Sequence, residues 1–65
     1  MIIIGLIKEL MYQQNKTVAD VAEGTGLSWL IIIDIVEHDV VPTPEYAEII
    51  LNYLGITLED VLTLY

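Results

Sequence analysis

The sequence predicts an all-α protein, a compact bundle of five short helices forming a single domain over residues 1–65. Apolar residues recur three or four apart in segment after segment, which places them on one side of a helix but on both sides of a strand. Threonine or serine stands ahead of several of these segments, where a hydroxyl can cap exposed amide groups. Both prolines and most glycines fall between segments, where the chain must stop being helical.

Ile3, Leu6, Ile7, Leu10 and Met11 carry the helical spacing through residues 2–14, with the end near Asn15. The β-branched run Ile2, Ile3, Ile4 is less committed, since such a triplet can also pair as a short strand. Thr17 then caps a second helix, and Asp20 three residues on completes a capping-box variant that satisfies orphan amides. Val18, Val21 and Ala22 give this helix a narrow apolar stripe, and Gly24 and Gly26 are expected to stop it. In the turn that follows, glycine permits left-handed backbone, Leu27 plugs the corner and Ser28 caps the third helix.

The third helix is expected from Trp29 to Glu37, with Ile32 and Ile35 in the core and Val36 beside them. Residues 40–45, VVPTPE, cannot continue it, because proline lacks an amide donor and biases its predecessor toward extended backbone. Thr43 reads as the next cap and Pro44 as the first helical residue, with Glu45 favourably placed against the helix dipole. Ala47, Ile50, Leu51 and Leu54 form the inward stripe of the fourth helix, which Gly55 ends. Thr57 and Asp60 repeat the cap pattern and open a short fifth helix through Val61 and Leu62.

Composition narrows the classes of function. The chain has no cysteine, which removes disulfides and thiolate metal sites and makes a reducing cytoplasm the expected location. The hydrophobic fraction is 55% and the mean hydropathy +0.66, high for a small domain, so contiguous apolar surface should remain outside the core and mark an interface. A membrane span needs about 18 or more consecutive apolar residues, whereas the apolar runs here are broken by Lys8, Glu9 and Asp34. The start of the chain carries no basic lead or small-residue cleavage site, so no signal peptide is expected. Ten acidic residues against Lys8 and Lys16 give a net charge of −8. A good nucleic-acid binder commonly neutralises roughly six to ten phosphates with lysine or arginine; this chain has no arginine at all.

Thr17, Ala22, Gly26 and Ser28 make a T-x-x-x-x-A-x-x-x-G-x-S frame, continued by Ile32 and Ile35, by PTPE at 42–45 and by LGITLEDVL at 54–62. In this frame the chain resembles the lambda-repressor/Cro type of helix-turn-helix family, from Ile7 to Leu62 without a gap. The resemblance implies a helix-turn-helix whose third helix would lie in a DNA major groove, with the second helix and nearby loops on phosphates. The groove-facing positions it implies are Trp29, Leu30, Ile33 and Asp34, none of which can make bidentate contacts to purines. Val18 stands where the family usually has a glutamine, and Asp39, Val40 and Val41 where basic residues usually follow. Ala47 and Leu51 exchange the family's usual large and small core residues, and Lys16 replaces a frequent core leucine.

Each conspicuous group has a bland reading beside the functional one. Trp29, Leu30 and Ile33 could enlarge the domain's own core, but so short a helix cannot bury every face, and tryptophan among aliphatics is typical of an interface hot spot. The interface expected from the sequence comprises Trp29, Leu30, Ile33 and Asp34, with Tyr46 and Ile49 on the outward side of the fourth helix. Asp34, Glu37, His38 and Asp39 are close enough to suggest a metal site, yet read better as a solvated acidic helix end. Tyr12, Tyr46, Tyr53 and Tyr65 serve equally as interface rim or core cover. No nucleophile–base pair or phosphate loop is present, so no catalytic, cofactor or metal site is expected.

The sequence therefore points to an acidic regulatory protein that acts through protein contacts, by dimerisation or by binding a basic regulatory protein. By analogy it resembles small modulators of phage or mobile elements. A DNA-binding regulator of the Cro/repressor type is the first alternative, and an acidic DNA mimic that inhibits a nucleic-acid-binding protein is the second.

Overall fold

Caps lay down the helices one after another, and their geometry can be followed along the chain. The computed structural model describes residues 2–57, the side chain of Ile2 excepted. Within them the order is α1 (Ile2–Gln13), α2 (Val18–Thr25), α3 (Trp29–His38) and α4 (Pro44–Tyr53), with no strand. The described residues thus hold four helices rather than five. The body of the fifth, expected after Thr57 through Val61 and Leu62, lies outside the described residues, as does Tyr65.

In α1 the isoleucine run is helical, because Ile4, Ile7 and Met11 then fall on one buried face. Ile3, Leu6 and Leu10 flank that face and are only partly buried. Asn15, with φ 54°, turns the chain left-handed. The Lys16 amide then donates to the Met11 carbonyl (2.8 Å) and the Asn15 amide to Tyr12 (3.2 Å), a Schellman ending.

The α2 capping box is complete. The Asp20 amide donates to the Thr17 hydroxyl (3.1 Å), and the Thr17 amide donates to the Asp20 carboxylate (3.0 Å). Gly24 does not stop the helix as expected; it sits inside it, and Gly26 (φ 77°) ends it, its amide donating to Ala22 at 2.9 Å. Packing explains Gly24, since a Cβ there would overlap the Tyr53 ring from α4. The Thr25 hydroxyl secures the turn, donating to the Val21 carbonyl (2.6 Å) and accepting from the Leu27 amide (3.2 Å).

Ser28 caps α3 by accepting from the Leu30 amide (3.2 Å), and Thr43 caps α4 by accepting from Tyr46 (3.3 Å). α3 runs one residue past Glu37, then Asp39 (φ 53°) reverses the chain, its amide and that of Val40 returning to the Asp34 carbonyl. α4 stops at Tyr53, and Gly55 (φ 94°) allows the Ile56 amide to reach the Leu51 carbonyl at 2.8 Å.

α1 and α2 each pack against both α3 and α4, which gives the cyclic order α1, α3, α2, α4 around a shared interior. Ile7, Val21, Ile32, Ile35, Ile50 and Leu51 fill it and are almost wholly enclosed. Burying each such side chain is worth about 1.5–3 kcal/mol, and Ile4, Met11, Ala22, Ala47 and Leu54 extend the same buried core. Polar ties close the ends. The Gln14 amide group donates to the Leu54 carbonyl (2.7 Å), and the Lys16 ammonium lies 5.3 Å from the centre of the Tyr53 ring.

Candidate functional site

α3 turns Ile32 and Ile35 inward, so a rotation of about 100° per residue carries Leu30, Ile33, Asp34 and Glu37 toward the opposite side and leaves Trp29 on the flank, one turn before Ile33. Trp29 is 54% and Leu30 70% exposed, large apolar side chains in water at the beginning of a helix. Asp34 and Glu37 are exposed further along the same side. Ile33 is half-buried, because it lies between the outward face and the partly covered flank.

The two α4 members of the expected interface part ways, Ile49 lying apart from this face and Tyr46 sharing a groove with Asp34 at its edge. Ile49 is 40% exposed, but α4 packs on α1 and α2 and not on α3, so no helix–helix contact joins it to Trp29. Tyr46 is half-buried rather than outward, since its side of α4 turns toward the loop after α3.

There Tyr46 closes a groove of about 190 Å³ with Ile31, Ile35, Val40, Val41 and Pro42, and Asp34 and Thr43 complete its lining. Val40 and Val41 were no part of the interface expected from sequence. The signal was available: two adjacent β-branched residues, 48% and 50% exposed, in a loop where polar residues are usual. On the other side of the loop a wider depression of about 480 Å³ has a mixed wall, with Gly5 and the Lys8–Asp39 ion pair beside Ile4 and Val41.

The electrostatics of the site follow from a shortage of cations. The Lys8 ammonium donates to the Asp39 carboxylate at 2.7 Å, linking α1 to the residue that ends α3. That hydrogen bond, with the lysine charge behind it, holds the Asp39 carboxyl below the usual carboxylate range. Asp39 is thereby turned to α1, and among the described residues no group of three or more histidine, cysteine or acidic side chains converges on a common point. Lys16 is half-buried and overhangs Tyr53, Gln13 donates to Glu9 (3.1 Å), and Gln14 is held by Leu54. Both lysines of the sequence, and Gln13 and Gln14 at the end of α1, therefore have partners inside the chain.

Compared with protein families, with curated proteins and with solved structures, the chain matches none. Among the described residues no helix is long and apolar enough to cross a membrane.

Proposed function

We propose that this chain is a regulatory interaction protein built on a helix-turn-helix-like scaffold, with the outward face of α3 binding protein instead of DNA. The observation that carries the reading is the exposure of Trp29 and Leu30 at the start of α3, bordered by Asp34 and Glu37. An indole and a leucine in water favour burial against another polypeptide, whereas the carboxylates beside them repel a polyanion. The α2–turn–α3 unit, joined through left-handed Gly26 and capped by Ser28, is the part that supports the scaffold reading.

A DNA-binding regulator is disfavoured by the same arrangement, because both lysines and the two glutamines that could reach phosphates are already engaged within the chain. The acidic mimic accounts for the charge but leaves the apolar start of α3 without a role. Light scattering of the purified protein alone and with candidate regulators tests the proposal, with Trp29→Asp as the comparison. Complex or oligomer formation that the substitution reduces at least tenfold is the expected result. Shift of duplex DNA by both forms, with no protein complex, would sink it.

A further inference from the structure

The groove between α3, the 39–43 loop and Tyr46 has properties that the exposed Trp29–Leu30 surface does not. Its volume, about 190 Å³, suits one aliphatic or aromatic side chain; an apolar cavity of roughly 150 Å³ takes a benzene-sized guest. Its walls are held in place before anything binds. The Lys8–Asp39 ion pair anchors the loop to α1, the Asp39 and Val40 amides are tied to the Asp34 carbonyl, and Thr43 caps α4 immediately after Pro42. Little ordering entropy is then left to lose on binding.

Asp34 determines what kind of side chain can enter. Its exposed carboxylate stands on α3 at the edge of the groove, between that apolar pocket and the Leu30 side of the helix. Among the described residues neither lysine pairs with it, since Lys8 pairs with Asp39 and Lys16 lies over Tyr53. A second copy would bring a further −8 and the same two engaged lysines, placing like charges across the contact at a cost.

We infer that this groove receives an apolar side chain from a cationic, amphipathic segment of a different protein, whose lysine or arginine pairs with Asp34. The inference rests on the interaction-protein reading above and names the partner's chemistry. The apolar side chain supplies affinity by filling the groove, and the cation supplies selectivity by meeting a carboxylate that otherwise faces water.

The test uses the ¹⁵N-labelled full chain titrated with a synthetic amphipathic helix of leucine and lysine, and with the same peptide carrying glutamate for lysine. Amide shifts should centre on Asp34, Val40, Val41 and Tyr46 for the lysine peptide and be absent for the glutamate peptide. Val40→Ser should weaken binding about tenfold, the expected size for losing one anchoring contact, and Val41→Ser should act in the same direction. Both valines are half-exposed, so thermal melts should show each variant folded. Asp34→Asn should weaken binding severalfold and flatten its dependence on salt.

Shifts confined to Trp29 and Leu30, with both valine variants neutral, would overturn the groove assignment and leave the interaction reading standing. Equal binding of the glutamate peptide would overturn the cationic partner. Self-association sensitive to Trp29→Asp, with neither peptide bound, would also overturn it while supporting the interaction reading. Duplex DNA binding without peptide binding would overturn both.

Discussion

Gly24 and Tyr53 illustrate how one contact reverses an ordinary substitution effect. Within a helix, glycine to alanine is normally stabilising by up to about 1 kcal/mol. At Gly24 the added methyl would overlap the Tyr53 ring, which must leave its place against α2 and beside Lys16. Gly24→Ala should therefore destabilise the protein by about 1–3 kcal/mol in thermal or urea unfolding. In a Tyr53→Ala background the same change should become stabilising; destabilisation of equal size in both backgrounds would refute the contact. A second residue-scale prediction concerns acid. Asp39 is held low by its hydrogen bond from Lys8, and Asp20 by the hydrogen bonds from the Thr17 amide and then its hydroxyl. Both carboxyls have folded-state values below their unfolded ones, so their contribution is present above the unfolded value of 3.8 and disappears as pH falls through the folded ones. Asp39→Asn should lower the melting temperature at neutral pH, and the difference from the unsubstituted protein should close on acidification below pH 3.8. A gap that persists or widens in acid would contradict the pairing.

Caps define the elements, and here local chemistry is nearly sufficient. Thr17, Ser28 and Thr43 all occupy the cap positions that the sequence indicates, because a hydroxyl next to orphan amides needs no tertiary help to find them. Removing the reciprocal box with Thr17→Ala should cost about 1 kcal/mol, read as a lower urea midpoint at unchanged slope; a change within error would mean that α2 is held by packing alone. Helix ends were less legible. Gly26 and Gly55 stop their helices in left-handed backbone, as glycine's freedom allows, but Asn15 and Asp39 do the same work without being glycine. Gly24 looked like a stop and is instead a space for Tyr53, a partner 29 positions away in the chain. The Ile2, Ile3, Ile4 run is helical for a similarly nonlocal reason: Ile4 must face the same interior as Ile7 and Met11.

The whole molecule carries ten acidic groups and two lysines on a body whose radius of gyration is 10.6 Å. So many like charges at this scale lie within a few Debye lengths of one another, about 10 Å at 0.1 M salt. Screening should relieve more repulsion than it removes from the exposed Lys8–Asp39 pair. The melting temperature should accordingly rise from low to physiological ionic strength, followed by circular dichroism. A fall would mean that attractive pairs outweigh repulsion. Under the proposed function the same imbalance would bear on partners, since an apolar surface bordered by carboxylates repels polyanions.

Read alone, the chain specifies the helical class, the three caps, the inward stripes of α3 and α4 and the deficit of cations. Each of these depends on neighbours within about one or two helical turns or on composition. Tertiary structure decided the remainder. It made Gly24 a contact instead of a stop, drew Tyr46 and Ile33 partly inward, left Trp29 and Leu30 in water, and folded Val40 and Val41 into a groove with Tyr46. Which of two outward-facing apolar side chains is covered depends on a surface supplied from elsewhere in the chain, and periodicity, being a property of one helix, carries no record of that surface.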